Sequence, residues 1–403
     1  MAMDRKEEAR ERIRGFVILW LSMFVIAGGL GMVVPILPVF VRDLGASGIW
    51  LGLSFSGFAI IQTPLTPIVG RFGDRLGRRK FIIAGLSIYI LIGVALSLAS
   101  TYQMVALLRM AMGLGASFMF PSALATIGIL SPKSEEGKYM GLFMVSFTGG
   151  FGIGPLIGGV IKDTLGAESA FISMSIAASV ALLAYIFLMP KEKAYGADEN
   201  HDIPSLYEML SNQTTISLFI FNLSFGIGLG AVMTFIAIFM TDKLMATATT
   251  VGLVIGSRPI LSSILQPLLG KLADTMPRQR LVFSGGLMLA LATSLIPSSD
   301  TVIVLLIFFL LLGLGESTAL PASLAITTDL GTQYGHGTLM GFANAMLVFG
   351  LLVGSVGGSI LASITTIEAV FRFTGFVTFA MTIVFLMTWK EPRVQSNVLQ
   401  ESN

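Results

Sequence analysis

The sequence predicts an all-α membrane protein with twelve transmembrane helices in two pseudo-symmetric bundles of six. Hydrophobic residues make up 54% of the 403-residue chain, and charged residues make up only 12%. That charged fraction is about half of what an ordinary soluble domain contains. Twelve apolar stretches are long enough to cross ~30 Å of hydrocarbon as helices. The chain also nearly repeats itself after 200 residues, which indicates a duplicated membrane half.

The repeat includes charged loop residues as well as apolar spans. Four residues of the first half recur at a fixed distance: Gly70, Asp74, Arg78 and Gly85 as Gly270, Asp274, Arg278 and Gly285. The segment GLGASFMFPSALAT from Gly113 recurs as GLGESTALPASLAI from Gly313, with seven of fourteen positions identical and no gap. Membrane composition alone would seldom keep one register over this length. Two parallel halves facing each other across a cavity are the plan of a transporter, which we therefore expect.

The apolar stretches also predict how the chain is divided. We place the spans near 16–41, 47–70, 81–99, 102–130, 138–161, 169–189, 214–241, 247–273, 281–298, 301–327, 337–363 and 369–389. A long polar stretch with mixed charges and prolines separates the sixth and seventh spans, as is typical of a solvated linker. We therefore predict a lead-in over 1–15, an N-terminal six-helix bundle over 16–189, a linker over 190–213, a C-terminal six-helix bundle over 214–389 and a tail over 390–403.

Basic residues predict the orientation of the chain. The two termini and the loops on their side hold nineteen Lys or Arg, whereas the opposite loops hold four: Arg42, Lys162, Lys243 and Arg372. Basic loops stay in the cytoplasm, so both termini are predicted to be cytoplasmic. The N-terminal MAMDRKEEARERIR has mixed charges and precedes a long apolar run, which favours a retained lead-in over a signal peptide. We expect an integral protein of the cell (inner or plasma) membrane.

Composition excludes several other classes of protein. The chain has no cysteine, which excludes disulfides, a thiolate nucleophile and Cys-ligated metals. Its net charge of +2 is too small to indicate a nucleic-acid partner. It has two histidines and no HExxH, GxSxG or GxxxxGK(S/T) signature, so we expect no enzyme, no metal and no cofactor. A gradient must then drive transport, and the expected partners are a small-molecule substrate, protons and membrane lipid around a monomer.

The loop after the second span carries a glycine-spaced cluster of charges, GRFGDRLGRRK. It resembles motif A of the major facilitator superfamily at every position of that motif, with the residues Gly70, Asp74, Arg75, Gly77, Arg78 and Arg79. A weaker copy in the second half, GKLADTMPRQR, contains Asp274. The resemblance implies the major facilitator fold of two six-helix bundles.

Within this loop, Asp74 is predicted to act as a latch of the cytoplasmic gate. A carboxylate that faces the positive N-terminal end of a helix gains ~0.3–1 kcal/mol, and more when partly buried. The resemblance places the start of the eleventh span there, near His336, where free N–H groups are available. The alternative is that the whole cluster only sets topology, although the positive-inside bias requires no glycine spacing.

Three further segments resemble the same family. Arg109 and the following MAMGLGAS are similar to motif B, with Met112 in place of the usual glutamine. The segment GMVVPILPVF resembles the opening helix of the twelve-span drug:proton antiporters. The segment GFGIGPLIGG matches motif C, which points to antiporters within the superfamily, through the residues Gly150, Gly154, Pro155, Gly158 and Gly159. The resemblance therefore implies export by exchange.

The glycines of this last segment also predict a helix contact. Gly150, Gly154 and Gly158 recur every fourth residue and share one helix face, which lets another backbone approach closely. Pro155 removes one helix hydrogen bond and favours a bend. The eleventh span repeats the glycine spacing. We predict that the fifth and eleventh spans contact the other half and that the glycine face bends or slides there; ordinary small-residue packing is the alternative.

Three ionisable residues lie well inside the apolar spans: Arg109, Arg258 and Glu316. An unpaired charge there costs ~2.5–3.5 kcal/mol on insertion scales, so each is expected to face the cavity or a partner. Glu316 replaces Ala116 of the first half, and we predict that it is the proton-coupling residue, assisted by Arg109 as the resemblance implies. The alternatives are a permanently protonated carboxyl or a fixed partner of Arg258 or Arg109. For Arg109, a static donor to backbone carbonyls is the alternative.

Few other polar residues are expected to reach the cavity: the candidates are Arg258, Gln62, Asn222, Gln266 and Asn344. Arg258 is expected to bind an anionic or zwitterionic headgroup or only to compensate Glu316. So few hydrogen-bonding groups favour an apolar cavity over a sugar site. The first span holds no acid, which argues against broad recognition of cationic drugs. We predict a proton-coupled exporter of hydrophobic or amphipathic small molecules; an uncoupled carrier or lipid flippase on the same scaffold is the alternative.

Overall fold

The computed structural model describes residues 2–131, 136–190, 209, 211–334 and 336–390. Within these ranges the chain is α-helical apart from turns and one 3-10 helix, and none of these residues lies in a strand. Eleven helices in these ranges are long and apolar enough to cross a membrane, or twelve when the bent pair in the second span is taken as one. The predicted all-α membrane fold is confirmed.

Six spans form each half, and ordinal numbers below follow their order in the chain. The first half contains Ala2–Val33 with Leu37–Asp43, Ile49–Ser56 with Phe58–Leu76, Arg78–Ser97, Tyr102–Leu130, Glu136–Leu165 and Ala167–Leu188. The second half contains Gln213–Lys243, Ala248–Thr275, Arg278–Leu295 followed by the 3-10 helix Ile296–Ser298, Val302–Tyr334, His336–Ile364 and Ile367–Thr388. The fourth span has the bounds that the sequence predicts, and most of the others differ by a few residues at their ends.

Consecutive spans run in opposite directions, so the helix ends fall on two sides of the membrane. One side, called the termini side below, carries the start of the first span, the end of the twelfth, and the ends of the second and fourth spans at Leu76 and Leu130. The other, called the distal side, carries the turns after Asp43, Leu165 and Lys243.

The first two spans are each broken into two helices, which the sequence did not predict. In the first span, residues 34–36 form a turn, and Pro38 enters the first turn of the next helix. Proline is tolerated there because its missing N–H would have no helical partner. In the second span the two helices meet at Gly57 with a bend of 46°. A bend of this size releases backbone carbonyls from the helix ladder, and another span can then bind them.

The repeat is visible in how the helices begin. Thr101 Oγ1 accepts a hydrogen bond from Met104 N at 3.3 Å at the start of the fourth span. Thr301 Oγ1 accepts one from Val304 N at 3.4 Å at the start of the tenth. A threonine in this position pairs one of the N–H groups that the first helical turn leaves free. Equivalent positions in the two halves therefore use the same cap.

Close packing within each half is repeated as well. A Cβ added at Gly113 would overlap the carbonyl oxygen of Phe58, and one at Gly313 would lie 2.9 Å from that of Arg258. Glycine is needed at both places because a backbone passes where a side chain would be. Position 258 is thus the counterpart of position 58, and the two bundles are built alike.

The two halves meet along two pairs of spans. The fifth span packs against the eighth, and the eleventh packs against the second. The prediction that the fifth and eleventh spans contact the other half is confirmed.

The prediction that the glycine stripe of the fifth span forms this contact was wrong. Cβ atoms added at Gly150, Gly154 and Gly158 would all meet the first span, between residues 24 and 32 of the same half. Glycine every fourth residue lets any helix approach closely, and the spacing does not determine which one. The face that touches the other half is rotated from this stripe and contains Gly152, Pro155 and Gly159.

Candidate functional site

Arg258 and Glu316 form an ion pair inside the second half. Arg258 Nε donates to Glu316 Oε2 at 2.7 Å, and the two side chains are only 4% and 12% exposed. The Arg258 guanidinium lies over the ring of Phe225, 5.6 Å from its centroid. Arg258 lies near the middle of the eighth span and Glu316 near the middle of the tenth, so the pair lies deep within the membrane. Removing either partner would leave an uncompensated buried charge.

The first half holds its intramembrane cation differently. Arg109 Nε donates to the carbonyl oxygens of Ser54 and Phe55 at 3.2 Å each, on the turn before the bend at Gly57. Its guanidinium also lies 5.0 Å from the ring centroid of Phe58, the counterpart of Arg258. Arg109 thus bridges the fourth span to the broken second span. This geometry is that of a donor to backbone carbonyls.

The other predicted cavity residues either form side-chain hydrogen bonds within their own helix or are half-buried. Asn222 is buried, and its Nδ2 donates to Leu218 O of its own helix at 2.9 Å. Gln266 Nε2 donates to Ser262 Oγ at 2.9 Å, one turn earlier in the eighth span. Gln62 and Asn344 are half-buried. Of the predicted residues, the structure brings Arg258 and Glu316 together, while the amide group of Asn222 donates its hydrogen bond within its own helix.

On the distal side, an ion pair joins the two halves. Arg42 Nη1 donates to both carboxylate oxygens of Asp242 at 2.7 Å, from the end of the first span to the end of the seventh. Asp43 also lies 3.3 Å from Arg42 Nη2. The side chains of Arg42 and Asp242 are 30% and 54% exposed, so water screens this pair and its contribution is modest.

A second distal contact connects a carboxylate to the start of a helix in the other half. Asp163, at the end of the fifth span, accepts hydrogen bonds from Ala248 N at 3.1 Å and from Thr249 N at 2.8 Å. It also accepts one from Thr249 Oγ1 at 2.7 Å. The eighth span begins at Ala248, so the carboxylate lies at the positive end of that helix. The interaction is the one predicted for Asp74, but on the opposite side of the membrane.

Nearer the membrane interior than these charges, the two halves are in direct backbone contact at glycine residues. Cβ atoms added at Gly159 and Gly252 would overlap the backbone of the facing span, at Ala248 and Pro155 respectively. Ser355 Oγ of the eleventh span donates to Gly52 O of the second at 3.0 Å. Such contacts exclude water because no side chain separates the helices. The structure is therefore closed on its distal side.

Nearer the middle of the membrane, a polar contact also joins the halves. Ser263 Oγ of the eighth span donates to Thr148 Oγ1 of the fifth at 2.8 Å.

The charged loop on the termini side is described only in part. Gly70, Asp74, Arg75 and Asp274 lie in described helices, but the surroundings of Gly70 and the side chains of the other three lie outside what the structure describes. Three other predicted residues are described: Gly77 has φ +91° and so needs glycine, Arg78 Nη1 donates to Ala125 O at 3.4 Å, and Arg79 Nη2 donates to Ile186 O at 2.8 Å. Both arginines therefore bind neighbouring helices of their own half. Arg278 Nη1 repeats the first contact on Ala325 O at 3.3 Å.

The sequence did not single out Asp163 or Gly52 as functional residues. Asp163 stands at a span end, three residues before Gly166, where acidic residues are common for solubility alone. Its partner lies 85 residues away in the other half, and no local pattern records that pairing. Asp163 is one of several acidic residues at the distal span ends, and nothing in the sequence distinguishes it from the others.

Replacing Asp163 by Asn is expected to loosen the distal closure without unfolding the protein. An amide keeps the shape but loses most of the attraction to the helix end, which is worth about 0.3–1 kcal/mol, or a factor of about two to five in the closed population. The native chain has no cysteine, so spin labels at Leu98→Cys and Ser298→Cys would report the distal distance without background. We expect more long distances in Asp163→Asn than in the control Glu168→Gln, and equal distributions would contradict this function of Asp163.

Two bundles of six helices, sealed on one side by contacts between the halves and holding an ion pair in the membrane interior, define a membrane transporter. A family model described as Major Facilitator Superfamily matches residues 19–229 and 218–402. The chain belongs to the Major Facilitator Superfamily. It is a transporter and not an enzyme.

Similar proteins agree with this assignment. The chain is 28% identical to Multidrug resistance protein 2 of Bacillus subtilis, over 96% of this chain and 98% of that protein. It is 27% identical to an uncharacterised MFS-type transporter of Methanocaldococcus jannaschii, over 91% of this chain and 96% of that protein. Among solved structures, a POT family transporter in complex with a thioalcohol-conjugated peptide has a TM-score of 0.79 and 14% identity, covering 93% of this chain and 96% of the other. This last likeness shows the fold alone.

Proposed function

We propose that this protein is a secondary active transporter that exports hydrophobic or amphipathic small molecules in exchange for protons. The observation that carries the proposal is the buried pair of Arg258 and Glu316. The repeated scaffold does not require this pair, because the equivalent positions of the first half hold Phe58 and Ala116. The printed name of the Bacillus relative, Multidrug resistance protein 2, supports the export of small molecules. The motif C segment supports exchange.

The contacts between the halves support alternating access. The distal closure consists of the bond of Arg42 to Asp242, the bond of Asp163 to the eighth span, and backbone contacts that can separate without unfolding either bundle. In the opposite state these contacts part, and Asp74 latches the termini side against the eleventh span. Because each state is stabilised by one set of contacts, the free-energy difference between them stays small enough for binding to shift it.

The proton step takes place at Glu316. While its carboxylate is ionised, it is neutralised by Arg258 or by a cationic group of the substrate. A proton arriving from the distal side removes that negative charge and lowers the affinity for the substrate, which then leaves. By linkage, substrate and proton lower each other's affinity by the same factor. Arg109 assists by keeping positive charge on the first-half side while it holds the bend at Gly57.

The proposal includes the orientation of the protein in the membrane and its partners. The termini side faces the cytoplasm of the cell membrane, in agreement with its basic loops. Arg75, Arg78 and Arg79 keep the motif A loop on that side. The chain works as a monomer in contact with membrane lipid, and its partners in transport are protons and a small-molecule substrate.

Flux measurements on purified protein in vesicles test the proposal. With the cytoplasmic face outward and an acidic lumen, a fluorescent amphiphile is expected to accumulate beyond the level in protein-free vesicles, and a proton ionophore is expected to abolish the excess. Protein-free vesicles are needed because weak bases accumulate in acidic vesicles without a carrier. Equilibration that ignores the pH gradient would instead indicate an uncoupled carrier or flippase.

Replacing Asp74 by Asn is expected to abolish or strongly slow transport while insertion and folding remain intact. The amide keeps the shape of the side chain but loses most of its attraction to the eleventh span, so the termini side no longer latches. Initial flux in the same vesicles measures the effect. Asp274→Asn in the weaker copy is the matched comparison, with a smaller expected loss. Transport by Asp74→Asn at the wild-type rate would show that the loop only sets topology.

A further inference from the structure

The pair of Arg258 and Glu316 leaves part of its hydrogen-bonding capacity unused. Within the described part of the chain, Arg258 makes a single hydrogen bond, from Nε to Glu316 Oε2. The N–H groups on its two terminal nitrogens therefore have no protein partner there. Neither these nitrogens nor Glu316 Oε1 belongs to the fully buried polar atoms that lack a partner, so each keeps some accessible surface. The outer atoms of both charged groups thus keep a small accessible surface, although the side chains as a whole are only 4% and 12% exposed.

An aromatic wall adjoins the pair. Phe225 lies beneath the Arg258 guanidinium, and the ring of Phe221 stacks beside that of Phe225 with centroids 6.4 Å apart and planes 24° from parallel. Both rings belong to the seventh span, one helical turn apart. Phe225 and Phe221 are only 6% and 3% exposed, so the surroundings of the pair on this side are apolar and tightly packed.

We propose that this site binds amphiphiles whose head group is a zwitterion. The ammonium group of the ligand pairs with Glu316, its carboxylate or phosphate pairs with Arg258, and its apolar part lies along Phe225. The inference rests on the proposed function, since it names the substrate class of the same site.

The charges of the buried pair determine which head group the site can bind. A ligand that separates Arg258 from Glu316 must replace both partners, because a buried charge left alone is strongly destabilising. A cationic ligand would pair with Glu316 and leave Arg258 without a partner. An anionic ligand would pair with Arg258 and leave Glu316 without one. A neutral head group would compensate neither charge. A zwitterion replaces both partners and leaves the net charge of the site unchanged.

This ligand class also suits exchange with a proton. When Glu316 is protonated in the empty site, water can solvate the accessible terminal nitrogens of Arg258. A bound zwitterion displaces that water and leaves its own ammonium group without a negative partner, so the affinity for the zwitterion falls as the carboxyl takes up its proton. A purely anionic ligand would behave in the opposite way, because protonation of Glu316 would free Arg258 to bind it. Only a ligand that needs the ionised carboxylate gives the competition that antiport requires.

Four probes with one phenylbutyl skeleton test the inference: homophenylalanine as the zwitterion, phenylbutylamine as the cation, phenylbutanoate as the anion and phenylbutanol as the neutral compound. Their binding to purified full-length protein in detergent is measured by equilibrium dialysis at one neutral pH. Homophenylalanine is expected to bind at least about tenfold more tightly than each of the others, since one tenfold step corresponds to 1.4 kcal/mol.

Substitutions of Arg258 or Glu316 are expected to change which of the four probes binds most tightly. Glu316→Gln leaves Arg258 as the only charge, so phenylbutanoate becomes the tightest probe. Arg258→Gln leaves Glu316, so phenylbutylamine becomes the tightest. The swapped double variant Arg258→Glu with Glu316→Arg keeps both charges and retains the preference for homophenylalanine, even if the single variants fold poorly. Arg372→Gln, an exposed arginine on the twelfth span, leaves the order unchanged.

The inference is overturned if the four probes bind equally, or if their order in the wild type is unchanged in the variants of the pair. Either result would show that the ion pair stays closed during binding. Binding is measured without a gradient, so this failure is separate from that of the proposed function, which fails only in the vesicle flux. Selective zwitterion binding without gradient-driven flux would support the site and reject the proton exchange.

Discussion

Replacing Glu316 by Gln is expected to abolish transport driven by a pH gradient and to leave at most downhill exchange of substrate. The amide has nearly the shape of the protonated carboxyl and cannot exchange a proton. Arg258, which lies 2.7 Å from the Glu316 carboxylate in the wild type, then has a neutral partner in every step of the cycle. Uptake into acidic vesicles should fall to the level of protein-free vesicles, and exchange of labelled for unlabelled substrate is the most that should remain.

The control is Glu368→Gln, which neutralises a carboxylate in the first turn of the twelfth span, on the distal side. This variant is expected to retain gradient-driven uptake. Undiminished uphill transport by Glu316→Gln would assign the proton to another carboxylate. Asp329, which binds Arg278, and Asp43, beside Arg42, are the next and weaker candidates.

Replacing Gly252 by Leu is expected to hold the distal side open and stop the transport cycle. A Cβ at this position would overlap the carbonyl oxygen of Pro155 in the facing half, and backbone cannot move aside as a flexible side chain can. Overpacking costs about 1–3 kcal/mol, which is a factor of about 5–150 in the population of the closed state. Flux should fall by at least about fivefold, and the labels at positions 98 and 298 should move apart.

The matched control is Gly357→Leu in the eleventh span, where an added Cβ meets nothing within 4 Å. Transport and label distances are expected to remain those of the wild type. If Gly252→Leu transports normally and its label distances do not change, the backbone contact between the fifth and eighth spans is not the distal closure.

Features repeated within the chain were predictable from the sequence. Spans, their order and the equivalence of Gly113 with Gly313 followed from apolar length and from a fixed register, both of which are local properties of the sequence. The helices extend beyond the predicted spans at several ends, because charged residues such as Arg78 continue a helix outside the hydrocarbon.

Contacts between the halves were harder to predict. A glycine stripe shows that a backbone approaches, and the fifth span has two such faces, one for the first span and one for the eighth. Pairings such as Arg42 with Asp242 join residues of different halves, and their geometry depends on how the bundles meet. Likewise, nothing in the segment around Gly57 distinguishes it from glycines in unbroken helices.

The intramembrane charges were identified from the sequence, but their pairing was not. Hydropathy singles out Arg109, Arg258 and Glu316 because each is costly in an apolar span. Three residues allow several pairings, and the structure selects Arg258 with Glu316 while Arg109 binds the backbone of the second span. The selection arises from the bend at Gly57, which offers Arg109 carbonyl acceptors.

Exchange of a proton for substrate at Glu316 is tested most directly by proton release on binding. Purified protein in weakly buffered solution is mixed, at a series of pH values, with the phenylbutyl probe that binds most tightly. The wild type is expected to release up to about one proton per bound probe, because the two ligands compete, and Glu316→Gln is expected to release none. Probe binding without proton release in the wild type at any pH, or equal release from Glu316→Gln, would contradict the exchange.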